Sequence, residues 1–193
     1  MSNSFIETIK AIDGEVYNLE YHQKRYASVL NSLGIDNIQN LSDFLNPPKW
    51  GVYRCRLVYD SQSIEVSYHE YKKRDINLLK VIFENDIDYS LKSTNREKLD
   101  SLFDLKGECD DILIIKNLFV TDTTIANIAF YKDGTWVTPK SPLLKGTTRA
   151  RLLDEGKIVE ADIKVQELRG FSQVALLNAM IDFDILENCE FLI

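Results

Sequence analysis

Lys92 carries an amine in the segment Tyr89–Arg96, where Leu91 precedes it directly. A lysine that is partly removed from water loses its charge more readily and becomes a nucleophile. The ordinary role of a lysine is that of a solvated surface charge, and the local sequence alone favours that role. Lys92 is therefore a candidate nucleophile whose case depends on the groups that accompany it along the chain.

A glycine and two threonines at Gly146, Thr147 and Thr148 open a predicted short helix. The first N–H groups of a helix lack acceptors within the helix, and its N-terminus carries a partial positive charge, so phosphate binds well there. A plain helix cap is the competing interpretation. The spacing is not that of a P-loop, because no glycine-rich run ends in Lys-Ser or Lys-Thr.

Asp122 stands between threonines and between two strand-like runs. An aspartate in such a place is usually a turn residue that accepts hydrogen bonds from its own backbone. The alternative is a carboxylate paired with the protonated nitrogen of a bound ring.

Three arginines form two further candidate sites. Arg25 lies three residues after His22 and on the same face of a predicted helix, as either an exposed basic pair or a fork for phosphate. Arg54 and Arg56 alternate along a predicted strand and so point to one face of a sheet. They could hold a substrate carboxylate or simply decorate the edge of the sheet, and the sequence favours neither.

The composition is that of a soluble globular protein, with 193 residues, 45% hydrophobic and 27% charged. A net charge of −7 argues against nucleic acid or an anionic membrane as a partner. Only two histidines are present, so a zinc site or a histidine-based hydrolase is hard to assemble. Three cysteines without metal-ligand spacing, no signal peptide and no membrane-spanning run together predict a cytoplasmic protein.

The first part of the chain is typical of an antiparallel sheet with a helix on it. Its predicted elements are a hairpin over 5–18, a helix over about 19–33 that Gly34 closes, a short helix near 41–45, and strands over 50–59, 63–71 and 78–83. Turn residues and alternating apolar residues carry these assignments.

The second part is typical of short strands that close toward a barrel. The predicted strands are 112–115, 120–121, 125–131, 136–138, 158–163 and, as the last, 174–177, with a short helix over 149–154. Thr94 and Glu97 match a capping box, which places a helix start just after Lys92. We predict two domains, a small α+β domain over 1–86 and a barrel-like domain with helices over 87–193.

Several short motifs follow one another along nearly the whole chain. They are Ile6-Glu-Thr with the turn Asp13-Gly14, His22-x-x-Arg25, Lys92-x-x-Asn-Arg96, Val120-Thr-Asp122, Asn127, Thr138-Pro139, Gly146-x-x-Arg149 and Asn178-Ala179. In this order they resemble the class IV aminotransferases, the fold type IV enzymes of pyridoxal 5'-phosphate (PLP). The form Lys-x-x-Asn-Arg is most similar to the 4-amino-4-deoxychorismate lyase branch.

The resemblance implies a D-amino-acid aminotransferase-like α+β fold, PLP as cofactor, a small-molecule amine as substrate and a homodimer. Lys92 would form the Schiff base with the cofactor and act as the catalytic residue. The cofactor-binding positions that it implies are Arg25, Lys92, Asp122, Asn127, Thr147, Thr148, Asn178 and Ala179. Arg54 and Arg56 are the candidates for the substrate.

Two activities follow from the resemblance, and a third interpretation follows from departures from the pattern. We favour aminodeoxychorismate lyase, which releases pyruvate and 4-aminobenzoate in folate synthesis, over an aminotransferase for D-amino acids or branched-chain amino acids. Asp122 replaces the usual glutamate, and the segment that commonly precedes the first strand is expected to be missing. A catalytically silent binding or regulatory member is the interpretation that these departures suggest.

Overall fold

The computed structural model describes residues 4–193, which form two compact units. The first unit contains the described residues up to Lys73 together with Leu91–Asn95, and the second contains Arg74–Ser90 and Arg96–Ile193. The start of the chain, on which the signal-peptide prediction depends, lies outside the described residues. Between residues 4 and 193, no helix has the length and apolar character needed to cross a membrane.

The first unit is an antiparallel sheet with one long helix. Its strands are β1 (Phe5–Ile12), β2 (Glu15–Val16), β3 (Val52–Tyr59) and β4 (Ile64–Glu70), its helices are α1 (Leu19–Ser32) and a 3-10 turn at Leu41–Phe44, and the strand order is β2-β1-β3-β4. Asp13 and Gly14 make the β1–β2 turn with φ values of 50° and 88°, which glycine adopts without strain. These elements confirm the α+β character predicted for this part of the chain.

Alternation along β1 builds the core of the first unit. Phe5, Ile9 and Ala11 are buried on one face of the strand, where they pack in one cluster with Tyr26 and Leu30 of α1. Side chains two residues apart share a face of a strand, so the position between Phe5 and Ile9 also points into this core. That position is occupied by a glutamate, Glu7, which is fully buried.

The second unit contains two sheets, two short α-helices and two 3-10 turns, at Asp104–Lys106 and Val165–Gly170. One sheet has the order β13-β5-β6-β7 and the other the order β10-β9-β8-β11-β12. The strands are β5 (Leu78–Phe83), β6 (Asp111–Lys116), β7 (Phe119–Val120), β8 (Asn127–Lys132), β9 (Thr135–Pro139), β10 (Val159–Ala161), β11 (Gln173–Asn178), β12 (Asp182–Leu186) and β13 (Glu190–Leu192), and the helices are α2 (Glu97–Phe103) and α3 (Thr147–Asp154). The arrangement confirms the barrel-like β domain with helices predicted for this part of the chain.

A continuous apolar run explains the central position of β6. Ile112–Ile115 are all fully buried, and β6 pairs in parallel with β5, which pairs in parallel with β13. Parallel strands covered on both faces carry such unbroken apolar runs, whereas half-exposed strands alternate. Phe130 of β8 and Leu176 of β11 pack with residues of β5 and β6 in the largest apolar cluster of the unit.

Three details differ from the sequence-based expectations. β5 was expected in the first sheet but lies in the second unit, because its partners are β6 and β13. The segment 91–95 belongs to the first unit, because it pairs with the start of β1. The predicted last strand, 174–177, is followed by β12 and β13.

The predicted capping box is also wrong. Helix α2 begins only at Glu97, and no side chain caps it. The Thr94 hydroxyl instead pairs with the hydroxyl of Ser4 at 2.6 Å, and the Thr94 N–H donates to the Ser4 carbonyl at 2.9 Å. Lys92 therefore lies in an irregular segment held along β1, five residues before the helix.

Candidate active site

Lys92 is held by the backbone of the first strand. The Ile6 N–H donates to the Lys92 carbonyl at 2.8 Å, and Phe5 forms an isolated antiparallel bridge with Ser93. The residue as a whole is half-buried. The backbone at Lys92 and Ser93 is thus fixed to β1, although Lys92 lies in no helix or strand.

Arg25 belongs to a buried cluster of charged and polar side chains in the same unit. Its Nε donates to Glu7 Oε1 at 2.8 Å and its Nη2 donates to Glu7 Oε2 at 2.6 Å. His22 Nδ1 lies 2.6 Å from the same Oε2. An ionised carboxylate only accepts hydrogen bonds, so Nδ1 of His22 carries the proton. The exposed basic pair considered for His22 and Arg25 is therefore excluded.

The pKa of Glu7 reflects this cluster. Burial alone would raise the pKa of this carboxyl, but the charge of Arg25 and the hydrogen bonds from His22 and Arg25 lower it from 4.5 to about 2. Burial lowers the pKa of His22, while the bond to Glu7 opposes that shift and the positive charges of Arg25 and Lys92 add to it. Glu7 is ionised and His22 is neutral at pH 7, and the electrostatic effect of Lys92 reaches this cluster.

Arg54 and Arg56 lie on the opposite face of the sheet from this cluster. Arg54 pairs across strands with Lys10 and Arg56 pairs with Thr8, whereas Glu7 pairs with Leu57. Directly opposed residues share a face, and alternate residues change faces. The structure therefore does not bring Arg54 and Arg56 together with Arg25, and their predicted role toward a substrate stays a prediction.

Asp122 is a buried carboxylate in the second unit. Its Oδ1 accepts from Asn127 Nδ2 at 2.7 Å and its Oδ2 accepts from the Leu144 N–H at 2.9 Å. Burial raises the pKa of this carboxyl from 3.8 to about 6, although hydrogen bonds from Leu144 and Asn127 and the charge of Arg149 act in the other direction. Asp122 thus binds neutral donors from its own unit, and these are a side-chain amide and a distant backbone N–H, not the adjacent backbone that the turn interpretation predicted.

Asn127 and Gly146 make a close contact beside Asp122. The second N–H of the Asn127 amide donates to the Leu144 carbonyl at 2.8 Å. A Cβ placed on Gly146 would lie 2.0 Å from Asn127 Oδ1, so only glycine fits there. The Asn127 side chain therefore fixes the loop that leads into α3, which is a role that the sequence did not indicate.

Thr147 and Thr148 are the first two residues of α3, and both are buried. Gly146 precedes them as the N-cap without any side-chain cap, so helix-start N–H groups are not occupied by a capping side chain. Arg149, one residue later, donates to the Pro139 carbonyl at 2.8 Å and to Glu160 Oε1 at 2.6 Å. This arginine anchors α3, and the two threonines retain their predicted place at the helix start.

Asn178 and Ala179 lie where β11 ends. Asn178 Oδ1 accepts from the N–H groups of Met180 and Ile181 at 2.9 and 3.1 Å, and its amide donates to the Ile125 carbonyl at 3.3 Å. The Asn178 side chain thus stabilises a turn that exposes part of Ala179. Their predicted contact with a phosphate stays a prediction.

Arg96 closes the motif that begins at Lys92. Its Nη2 donates to the Thr124 carbonyl at 3.0 Å, and its Nη1 donates to the Tyr89 hydroxyl at 3.3 Å. The guanidinium also lies 5.6 Å from the centre of the Tyr89 ring, a cation–π distance. Arg96 thereby links the approach to α2 with the turn that follows Asp122, all within the second unit.

Glu7 is the residue that the sequence-based search for site residues missed. The sequence did contain an indication of its role, because Glu7 interrupts the apolar face formed by Phe5, Ile9 and Ala11. A charged residue at a core-facing position of a strand needs a buried partner. The partners come from α1, and no local pattern connects Glu7 to Arg25. Across residues 4–193 the structure contains no group of three potential metal-binding side chains.

Comparisons with known proteins identify the family. The family model described as "Amino-transferase class IV" matches residues 90–183. An uncharacterised protein of Haemophilus influenzae is 36% identical over 180 residues, covering 90% of this chain and 96% of that protein. The crystal structure of a protein of Haemophilus somnus 129pt, described as a "putative 4-amino-4-deoxychorismate lyase", is 33% identical with a TM-score of 0.87, covering 93% of this chain and 97% of that one.

A more distant structure shares the fold. It is the PLP-bound form of a hypothetical aminotransferase of Mycobacterium tuberculosis, 14% identical with a TM-score of 0.81, covering 97% of this chain and 81% of that one. The chain described here belongs to the class IV aminotransferase family and has its fold type IV architecture. This confirms the resemblance inferred from the motifs.

Proposed function

We propose that the protein is a PLP-dependent enzyme and that its activity is that of an aminodeoxychorismate lyase. The observation that carries the proposal is that β1 holds both Lys92 and Arg25, through the Ile6 N–H and the Glu7 carboxylate. These are the residues that the family resemblance assigns to the cofactor aldehyde and to its phosphate. The relative from Haemophilus somnus adds support for the lyase, since it is similar over nearly its whole length.

The residues present fit a phosphate group. Besides the N–H groups of Nε and Nη2 that bind Glu7, the Arg25 guanidinium carries further N–H donors of the kind that suits phosphate oxygens. Thr147 and Thr148 begin a helix of eight residues without a side-chain cap. Gly146 has no space for a side chain because Asn127 lies against it. The family resemblance implies Arg25, Thr147, Thr148, Asn178 and Ala179 as residues that bind the phosphate, and we propose them in that role.

Asp122 fits a partner for a protonated ring nitrogen. An ionised carboxylate accepts about four hydrogen bonds, and the bonds from Asn127 and Leu144 occupy two of these positions. A cationic partner would lower the pKa of Asp122 from its value of about 6 and keep the carboxyl ionised at pH 7. Asn127 would hold this carboxylate in place through its 2.7 Å hydrogen bond to Oδ1.

PLP, when bound, supplies an electron sink for the carbon that carries the amino group of the substrate. Lys92 Nζ would remove the proton from this carbon as the general base. Arg25, Thr147 and Thr148 would hold the phosphate, and Asp122 would hold the proton on the ring nitrogen. In the lyase, the electrons of the broken C–H bond would break the C–O bond to the enolpyruvyl group, which would leave as the enolate of pyruvate and take up the proton held by Lys92 to give pyruvate. The remaining ring would become aromatic 4-aminobenzoate.

The test supplies purified protein with aminodeoxychorismate and PLP and no amino-group acceptor. We expect pyruvate and 4-aminobenzoate in equal amounts, and neither product with Lys92→Ala. Activity that requires an amino-acid and keto-acid pair would replace the lyase with an aminotransferase for D-amino acids or branched-chain amino acids. A protein with no visible absorption band after PLP is added would be a silent binding member, and the enzyme proposal would fail.

Assembly and location complete the proposal. We propose a homodimer, as the family resemblance implies, which sedimentation at several protein concentrations tests. We also propose a cytoplasmic location, and the three free cysteines support a reducing compartment.

A further inference from the structure

Glu7 is an acid at a position where the fold would accept an apolar residue. It is fully buried on the core face of β1, between Phe5 and Ile9 and opposite Leu57 of β3. Burying a charged pair costs several kcal/mol of desolvation, and packed apolar residues often stabilise such a position better. Stability alone therefore does not account for a glutamate here.

The contact with Arg25 is specific in geometry. Nε and Nη2 each donate to a different oxygen of Glu7, at 2.8 and 2.6 Å. Two parallel hydrogen bonds fix the plane of the guanidinium as well as its position. Arg25 lies on α1 with its side chain 14% exposed, so the pair combines a buried carboxylate with a guanidinium near the surface.

His22 fixes the carboxylate itself. Its Nδ1 donates to Glu7 Oε2 at 2.6 Å, and it lies one helical turn from Arg25 on α1. Glu7 Oε2 thus accepts from two side chains of one helix, and Oε1 accepts from Arg25 Nε. Rotation of the carboxylate would break at least one of these bonds, so Glu7 is held in one orientation.

The neighbouring residue of β1 holds Lys92. The Ile6 N–H donates to the Lys92 carbonyl at 2.8 Å, and the carboxylate of the next residue, Glu7, holds Arg25. Consecutive residues of one strand therefore fix the backbone of the proposed nucleophile and the side chain of the proposed phosphate ligand. The positive charge of Lys92 also lowers the pKa of His22, so the lysine acts electrostatically on this cluster.

We propose that Glu7 is a positioning residue that orients the Arg25 guanidinium for the phosphate of PLP while β1 holds Lys92 for its aldehyde. This inference rests on the proposed function. It assigns the effect of Glu7 to the phosphate end of the cofactor, through Arg25, and not to the aldehyde end.

The experiment compares two ligands that differ only in the phosphate. PLP and pyridoxal are each titrated into the wild type and Glu7→Gln, and dissociation constants are read from the visible band. The glutamine keeps one acceptor for Arg25 Nε, but its amide group faces the donor Nη2. We expect roughly a tenfold or larger rise in the dissociation constant for PLP, since a hydrogen bond to a charged group is lost. The constant for pyridoxal should change by less than about twofold if the effect acts through phosphate.

Coupling to Arg25 is tested in the double variant. Lysine cannot donate two parallel hydrogen bonds to one carboxylate as arginine does, so Arg25→Lys removes the guanidinium that Glu7 orients. Glu7→Gln/Arg25→Lys should therefore bind PLP no more weakly than Arg25→Lys alone. Glu65→Gln on the exposed side of β4 is the matched control and should bind both ligands as the wild type does.

The outcomes separate this inference from the proposed function. A wild-type protein that gives no visible absorption band with PLP would contradict the proposed function itself. A wild type that binds PLP, with Glu7→Gln equal to it or with both ligands weakened by the same factor, overturns the role of Glu7. If thermal melting shows that Glu7→Gln is unfolded, Glu7→Asp replaces it, because the shorter acid keeps the charge but cannot make both bonds. Equal PLP affinity of Glu7→Asp and the wild type also overturns the role.

Discussion

The first unit buries the carboxylate of Glu7 and the second unit buries that of Asp122, and the pKa values of the two carboxyls are shifted in opposite directions. Glu7 in the first unit accepts from a guanidinium and an imidazole, and its pKa falls to about 2. Asp122 in the second unit accepts from an amide and a backbone N–H, and burial raises its pKa to about 6. Burial is complete in one case and nearly so in the other, so the partners decide the sign of the shift.

This difference suggests a division of roles. The charge of Glu7 is balanced by Arg25 inside its own unit, so its role is to hold neighbouring side chains in place. Asp122 accepts hydrogen bonds from neutral donors, and the charge of Arg149 does not offset the effect of burial on its pKa, so a cation in direct contact would lower that pKa. A protonated ring nitrogen would supply such a cation at Asp122, whereas Glu7 already has a cationic partner in Arg25.

The largest expected effect is that of removing the Glu7 side chain. Glu7→Ala leaves the guanidinium of Arg25 without its buried partner, and such losses cost about 3–5 kcal/mol. Asp122→Ala removes a carboxylate bound only by neutral donors and should cost about 1–3 kcal/mol. Urea unfolding of both variants measures the free energies. A loss at Glu7 no larger than that at Asp122 would contradict the comparison.

The stability of the protein in acid should depend on Glu7. Its pKa is lowered from 4.5 to about 2 in the folded protein, so its stabilising effect is present above pH 4.5 and disappears as the pH falls toward 2. The shift corresponds to about 3 kcal/mol. Denaturant unfolding between these pH values measures it, with Glu7→Gln as the non-titrating reference. Parallel pH curves for the two proteins would be inconsistent with the assigned pKa.

Asp122 should give a slope of the opposite sign at higher pH. Its pKa is raised from 3.8 to about 6, so the folded protein holds the proton more tightly, and stability falls as the pH rises through this interval. The loss is about 3 kcal/mol for the protein without PLP. The same unfolding series on Asp122→Asn should lack this slope. Adding PLP to the wild type should reduce the slope, because a cationic partner lowers the pKa of Asp122.

A smaller effect is expected at Gly146. A methyl group there would meet Asn127 Oδ1 at 2.0 Å, and the Asn127 amide would have to leave Asp122 or the Leu144 carbonyl. Gly146→Ala should therefore cost about 1–3 kcal/mol and weaken PLP binding in the same variant. Gly170, where a Cβ meets nothing within 4 Å, provides the matched control Gly170→Ala. Equal stability and equal PLP affinity for the two variants would remove the role of this contact.

The smallest effect on stability is expected on the other face of the first sheet. Arg54 is exposed, so Arg54→Gln should change the free energy of unfolding by less than about 0.5 kcal/mol. If Arg54 binds a substrate carboxylate, the KM for aminodeoxychorismate should rise while PLP affinity stays constant. An unchanged KM in both Arg54→Gln and Arg56→Gln would show that neither arginine binds the substrate.

Sequence patterns predicted the elements that are defined by residues close together in the chain. The turn at Asp13-Gly14 and the alternation in β1 define the first hairpin, and Gly34 marks the end of α1 with a φ of 73°. The partner of a strand is not encoded locally, so the sequence patterns predict the wrong sheet for β5. The predicted capping box at Thr94 failed because the Ser4 backbone and hydroxyl bind that residue instead.

The candidate site shows the same limit. The motif order identified the family and named Lys92 and Arg25. It did not identify Glu7 as a site residue, because the hydrogen bonds that define its role connect positions 15 and 18 residues apart on a strand and a helix. Nor could spacing reveal that Asn127 and Gly146 are in contact, since a loop and a strand separate them. Both β12 and β13 were missed because acidic residues interrupt their short apolar patterns.

The central claim is that Lys92 carries PLP. Protein saturated with PLP is reduced with borohydride, digested and examined by mass spectrometry. We predict one reduced pyridoxyl phosphate group on the peptide that contains Lys92 and none in Lys92→Arg treated in the same way. A modified peptide that lacks Lys92, or modification spread equally over surface lysines in the wild type and the variant, would contradict the claim.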